Sequence, residues 1–533
     1  MKIKSCTTLL LLFLVSTVLL LQGTASAQSG DLQEKAEKAM LEATRYMVGK
    51  VSTHGGYLRL YTEDLTRRWG ELEAYDTQIM LTYGRTPSMG HLFLDAWHIT
   101  GNEYYYEAAE GVARVLIWGQ HETGGWDYII DFAGDRSLKQ WFGTIGKNAW
   151  GWNEYNNYYG TPTFKNGTTT EAARFLLRIY LEKLDPAIRP ALDKAVQFVL
   201  DSQYPLGGWP QRHPEKRHHS YEGKQDYTYY YVFNDDLAWE NIEFLIQCYN
   251  TLGDERLLDP IRRGMNFYLI AQQGNPQGGW AEQYTMDLEP AHGRPYEPAS
   301  LMPGTTYRHV RLLMTFYRYT GDQKFLSGIK DAIEWLESSR LPEEMSDGGR
   351  FTHPVFVEIG TGRPLFAHRE GTGRGDGRYW VDYRDDNPLL HYGSKMNLDL
   401  DLLREEYEEL KTFSPEKVTA GSPLRPGRDS GERLPEDFRE VNSRSSNRAS
   451  DEQEVRSIIE SLDEESRWLT TGEWISRPYS VSEDGSETNT ALMSTEGGSA
   501  IRDSSGRQYI STTVYMRNMR HLLNYLAINK HSE

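Results

Sequence analysis

Gly124-Gly125-Trp126, Gly207-Gly208-Trp209 and Gly278-Gly279-Trp280 recur along the chain, preceded by Gly55-Gly56-Tyr57 and followed by the degenerate Gly348-Gly349-Arg350. The steps between successive copies are 69, 83, 71 and 70 residues. Each pair follows a stretch of helical periodicity, such as Ala195 to Gln203 or Ile329 to Ser339. The glycines are therefore expected to supply the left-handed stop that ends a helix. A second punctuation mark lies upstream, at Thr100-Gly101-Asn102, Leu184-Asp185-Pro186, Leu252-Gly253-Asp254 and Thr320-Gly321-Asp322. It divides a longer apolar-periodic stretch into two antiparallel helices. The unit reads as helix, tight turn, helix and irregular glycine-aromatic loop.

Such a unit is longer than ordinary solenoid repeats of roughly 34 to 47 residues, and the excess is a long loop in every copy. Long loops in compact domains usually carry function. If each follows the second helix of its pair, all emerge at one end, and a closed ring of pairs gathers them around one cleft. The expected fold is all-α, an (α/α) toroid; an open solenoid with decorative loops is the alternative that periodicity leaves standing.

The rest of the 533 residues fits around this core. Lys2 and Lys4, the apolar run Leu9 to Leu21 and the small residues Ala25-Ser26-Ala27 read as a secretory leader over residues 1–27. Export to the periplasm or medium is expected, with no membrane attachment after cleavage. Cys6 lies in the leader, which leaves Cys248 without an internal disulfide partner. The toroid is expected over residues 28–412 and a Ser/Pro/Gly/Arg/Glu-rich linker over 413–450. Residues 451–533 are expected to supply helices that dock on the toroid, not a separate catalytic domain. Apolar residues at 38% and charged residues at 25% exclude wholesale disorder. A formal charge of −18 argues against coating nucleic acid or anionic lipid. A polyanion must instead meet a local basic patch, and the chain is expected to act as a monomer.

The loops concentrate aromatics with acids and bases. Trp150, Trp152, Tyr155, Tyr158, Tyr159, Trp209, Tyr229 to Tyr231 and Trp280 offer faces for stacking on sugar rings, or staple the loops to the bundle. Asp235 and Asp236, after Phe233-Asn234, stand at the start of the helix from Leu237. They cap it, supply oxygen ligands for a hard cation such as calcium, or form an acid/base pair. Arg294, Arg308, Arg363 and Arg369 place guanidinium groups on an acidic protein, where they bind an anionic ligand through bidentate forks or serve surface solubility. His213, His218 and His219 lack the helical spacing of a metalloprotease. A nucleotide cofactor is not expected.

Five strings, NGTTTEAARFL (Asn166 to Leu176), GGWPQ (Gly207 to Gln211), FNDD (Phe233 to Asp236), RPYEPAS (Arg294 to Ser300) and EIGTGRPLFAHREG (Glu358 to Gly371), occur in this order. As a set they resemble the pectate lyases of polysaccharide lyase family ten over about residues 145–385. The resemblance implies a largely helical toroid that cleaves polygalacturonate by β-elimination with the help of calcium. Carried over by position, it implies that Arg369 is the Brønsted base, that Arg294 holds a substrate carboxylate and that Asp235, with Asp236, serves the metal. Lys165, Asn166, Trp209, Trp280, Tyr296 and Arg363 are the expected substrate-binding residues. Two positions depart from the family: Lys165 stands where an aspartate is usual, and Val355 replaces an arginine. Lys165 is expected to assume part of the metal's charge by pairing with a uronate carboxylate. Removing the C5 hydrogen of a uronate creates an enolate-like dianion, which needs a cation or guanidinium groups for neutralisation. The acidic polymer is expected to be pectate; another such as ulvan, a glycoside hydrolase reading on Asp235 or Asp236 with Glu297, and noncatalytic glycan binding are the alternatives.

Overall fold

The computed structural model describes residues 30–146, 160–215, 223–370, 378–389, 394–424, 451–476, 480–481, 487–488 and 500–530. The helix pairs fall where the punctuation puts them: Thr86–Thr100 with Glu103–Gly119, Thr168–Lys183 with Arg189–Asp201, Leu237–Leu252 with Leu258–Ala271, and Pro303–Thr320 with Ile329–Ser338. The first helix of a pair is inner. Every residue from Thr168 to Leu181 is buried, charged ones included. The second helix buries one stripe, as in Ala191, Leu192, Ala195, Val196, Phe198 and Val199 of Arg189–Asp201, the spacing of an amphipathic helix on a core. Ion pairs stitch neighbouring inner helices together: Arg174 reaches Glu240 at 2.9 Å and Arg178 reaches Asp95 at 2.5 Å. Such buried charges are tolerated because each is paired.

The (α/α) toroid closes by joining the two ends of the chain. The helix Thr512–Lys530 packs on Thr86–Thr100, and the Tyr515 hydroxyl meets Thr44 Oγ1 at 2.6 Å on the N-terminal helix, residues 30–46. Strand Tyr509–Ser511 pairs antiparallel with Leu60–Thr62, with Leu60 opposite Ser511, inside a four-stranded sheet. One apolar core runs from Leu32 to Leu526. Residues 413–424, expected to open the linker, are packed instead: Pro415–Val418 is helical and Ser422 Oγ donates to the Tyr319 carbonyl at 2.5 Å. The leader and residues 425–450 lie outside the described residues. Among the described residues no helix is long and apolar enough to cross a membrane.

The paired glycines do a different job from the one expected. The left-handed stops belong to the turns inside each pair, at Gly101, Leu184, Gly253 and Gly321. The paired glycines lie several residues beyond the second helix, where each loop crosses the outer helix of the next repeat. A Cβ on Gly124 would stand 2.1 Å from the Lys194 carbonyl oxygen, and one on Gly207 would stand 2.0 Å from that of Arg263. Gly55 against Gly111 and Gly278 against Asp331 repeat the contact. A glutamine completes it. Gln120, Gln203 and Gln272 each donate from Nε2 both to a carbonyl of their own loop and to one in or just before the next outer helix, at 2.8 to 2.9 Å. The tryptophans that follow close the other side: Trp126, Trp209 and Trp280 donate from Nε1 to the carbonyls of Leu116, Val199 and Tyr268 on their own outer helix.

Candidate functional site

Two of these loops enter their inner helices through the same turn. Lys165-Asn166-Gly167 and Asn234-Asp235-Asp236 are 3₁₀ turns leading into Thr168–Lys183 and Leu237–Leu252. Each places two consecutive residues in the left-handed region: Asn166 and Gly167 at φ 50° and 69°, Asp235 and Asp236 at 58° and 57°. For the non-glycines this conformation costs about 1–3 kcal/mol each and persists where surrounding structure holds it, often at functional sites. Helix capping does not explain the acids, since the Asp236 side chain makes no capping hydrogen bond. The two turns lie against each other, and the Asn166 backbone N–H bonds the Asp235 carboxylate.

Charges from several repeats meet here. Lys165 is buried, with its ammonium 5.4 Å from the centre of the Tyr128 ring. Asn166 Nδ2 donates to Glu71 Oε1 at 3.3 Å. Burial pushes the Asp235 carboxyl above the usual carboxylate range, while Arg294 and Lys165 pull it down and Glu71 pushes it up. The Arg294 guanidinium is buried, 3.1 Å from Glu297 Oε1 and 5.7 Å from the centre of the Tyr227 ring. The other Glu297 oxygen accepts from the Arg294 backbone at 2.7 Å, and a Cβ on Gly293 would stand 2.2 Å from it. Arg294 is thus half of a buried ion pair whose charge is felt at Asp235.

Arg308 is the guanidinium that faces outward. It projects from the inner helix Pro303–Thr320 with 46% of its side chain exposed, 3.3 Å from Asp236 and 3.5 Å from Glu282. Glu282 also accepts from Thr305 Oγ1 at 2.9 Å. Burial pushes its carboxyl up to about 7; Arg308 opposes the shift, and Glu297 and Asp235 add to it. Arg308 was visible in the sequence only as one arginine among four. Glu282 had one signal, an acid two residues after the repeat tryptophan.

The remaining expected residues lie elsewhere. Trp209 and Trp280 are fully buried and bonded to helix carbonyls, so neither offers a face to a sugar. Tyr296 is buried against Tyr379, with ring centres 5.3 Å apart. The aromatic-rich loops fill the gaps between repeats, which is why these rings point inward. Arg363 is exposed on the turn before strand Pro364–Glu370, its guanidinium 3.3 Å from the centre of the Tyr383 ring, and its described contacts do not include the Asp235 turn. Arg369 lies in that strand opposite Tyr379; its side chain lies outside the described residues. So do Trp150, Trp152, Tyr155, Tyr158, Tyr159, His218 and His219.

The donor set fits a self-contained calcium cage poorly. Calcium takes six to eight oxygens, whereas Asp236 is engaged by Arg308 and Asp235 faces Lys165 and Arg294. Among the described residues no three His, Cys, Asp or Glu side chains are grouped to hold a metal.

The family model described as pectic acid lyase matches residues 120–383, the segment that carries Lys165, Asp235, Glu282, Arg294 and Arg308. This segment belongs to the pectic acid lyase family. The protein is a polysaccharide lyase. Solved structures similar to it include a family 10 polysaccharide lyase from Cellvibrio cellulosa, with 20% identity over 54% of this chain and 86% of that one and a TM-score of 0.36. A point mutant of that enzyme, in complex with trigalaturonic acid, gives the same identity and TM-score over 54% and 89%. The cellobiose 2-epimerase of Spirochaeta thermophila spans 96% of this chain and 99% of its own, with 13% identity and a TM-score of 0.41. No curated protein matches the chain. Within the lyase segment lie both left-handed turns and both arginine–carboxylate groups, whereas Glu71 and Arg85 come from the repeat before it.

Proposed function

We propose that this lyase is exported and cleaves a uronate polymer, pectate in the first place, by β-elimination. The observation that carries the reading is the pair of cations on the Asp235-Asp236 turn, Lys165 toward Asp235 and the half-exposed Arg308 on Asp236. Two cations on a strained acidic turn suit a sugar that bears its own carboxylate. Lys165 and Arg308 take the substrate carboxylate and the negative charge that grows on it as the C5 hydrogen leaves. The C5–H electrons form the C4–C5 double bond, the C4–O bond breaks, and the departing oxygen takes up a proton. Glu282, with its carboxyl near neutrality and bonded to Thr305, is suited to hold that proton at the edge of the site. The resemblance supports Arg369 as the acceptor of the C5 proton. Neutralisation rests on the chain's own cations, Lys165 and Arg308.

The test is incubation of the mature protein with a panel of acidic polysaccharides, following ultraviolet absorbance and reducing ends together. Pectate should yield both signals, because elimination leaves a 4,5-unsaturated uronate. New reducing ends without absorbance would mean hydrolysis and would sink the reading; absorbance from ulvan alone would replace the polymer and keep the chemistry.

A further inference from the structure

Arg85 lies within electrostatic reach of Glu71, at the position just before the helix Thr86–Thr100. Three energetic penalties meet on its guanidinium. It is largely withdrawn from water, which together with the neighbouring Arg59 pulls its pKa down to about 10. It sits at the positive end of a helix dipole, with no acid in the first turn to offset it. Among the described residues it pairs with no carboxylate. Its one described side-chain hydrogen bond goes to the adjacent Gly84 carbonyl at 3.1 Å, and its Nε is buried with no partner. Arg174, Arg178, Arg294 and Arg308 each have a carboxylate within 4 Å. Glu71, whose charge acts on both Arg85 and Asp235, is only half satisfied: Oε1 accepts from Asn166 and Oε2 is buried with no partner.

A desolvated cation and a half-satisfied carboxylate that do not bond each other are a poor structural element and a good receptor. A uronate ring matches both, since its carboxylate accepts from guanidinium in a bidentate fork and its hydroxyls donate to a carboxylate. We propose that Arg85 and Glu71 form a subsite for a second uronate of the polymer, beside the sugar that reacts. Residues upstream of the family-matched segment would then set how long an oligomer the enzyme grips. The proposal rests on the polyuronate reading of the site.

The experiment compares wild type, Arg85→Gln, Arg85→Lys and Glu71→Gln on galacturonate oligomers of increasing length, with melting temperature measured alongside. Arg85→Gln should raise KM for the longest oligomers about tenfold, the worth of a lost charge-assisted bond, and kcat should change less than about threefold. Short oligomers should show little change, and Arg85→Lys should recover part of the loss. Arg85→Gln should melt at the same temperature as wild type or higher, because it removes an unpaired desolvated charge. A fall in melting temperature with a KM shift equal for all lengths would overturn the proposal, as would unchanged KM throughout. If wild type makes no unsaturated product from any uronate polymer, it is the function reading that fails. Calorimetric titration with hexagalacturonate then decides the subsite: weaker binding in Arg85→Gln upholds it, and equal binding ends it.

Discussion

Replacing Arg308 by alanine separates catalysis from stability, and the structure sets both magnitudes. The guanidinium is 46% exposed and its ion pairs are 3.3 and 3.5 Å long. Pairs of this kind contribute about 0–1 kcal/mol. Truncation should therefore lower stability by less than about 1 kcal/mol, even though Asp236 and Glu282 lose their common partner. The effect on turnover is of another order. A cation aimed at charge that develops in the transition state is worth about 10²–10³ in kcat. Arg308→Lys keeps the charge but loses the planar fork between two carboxylates, and should fall between alanine and wild type. Initial rates from ultraviolet absorbance on pectate, with urea denaturation of the same samples, test both halves. Arg308 does not neutralise transition-state charge if Arg308→Ala keeps more than about a third of wild-type kcat, or if its activity falls only in step with a stability loss of several kcal/mol.

Three further outcomes are expected. The raised pKa of Glu282, about 7 in the fold against an ordinary value of 4.5, makes a stabilising contribution that is present below pH 4.5 and lost as pH rises through 7. Glu282→Gln should remove about 3 kcal/mol of pH dependence over that range, read as a flatter plot of melting temperature against pH. Gly207→Ala should cost more than about 2 kcal/mol, because its φ is +107° and its new Cβ would meet the Arg263 carbonyl at 2.0 Å. Gly348→Ala, at φ +72° with open space around it, should cost only about 1 kcal/mol, and equal losses in denaturant titrations would contradict the packing role. Wild-type elimination should persist in excess chelator, whereas Lys165→Asp should become calcium-dependent; a wild type silenced by chelator would show that Lys165 does not replace the metal's charge.

The repeat was legible because its period is a backbone property. Turns that reverse a helix pair need residues that accept left-handed φ, so Gly101, Gly253 and Gly321 mark them, and Leu184 does so through Asp185-Pro186. The role of the paired glycines was not legible, because what a Cβ would strike is the next repeat's helix, in a segment of chain well downstream, and spacing alone does not show that contact. The same holds for Gln120, Gln203 and Gln272, whose second acceptors lie 56 to 71 residues further on. Closure of the ring by Leu60–Thr62 on Tyr509–Ser511 depends on two short strands at opposite ends of the chain, and no local pattern announces such a pairing.

At the site, residue type was a good guide to chemistry and a poor guide to exposure. Trp209 and Trp280 have the faces a sugar wants, yet the indole N–H also bonds a carbonyl near the end of the outer helix, and burial of the large ring favours that use. Among the arginines the deciding variable is the partner. Arg294 is three residues before Glu297 and folds onto it, so its charge is balanced locally, whereas Arg308 finds Asp236 and Glu282 from two other segments and remains half exposed between them. A carboxylate three residues away holds Arg294 in the interior, and carboxylates brought from two other segments hold Arg308 at the rim, where a substrate carboxylate can join the same fork. Lys165 sharpens the point. Its position on the turn before an inner helix matches that of Asn234 in the next repeat, so the inner ring brings cation, amide and acid together by repeating a single backbone turn with different side chains.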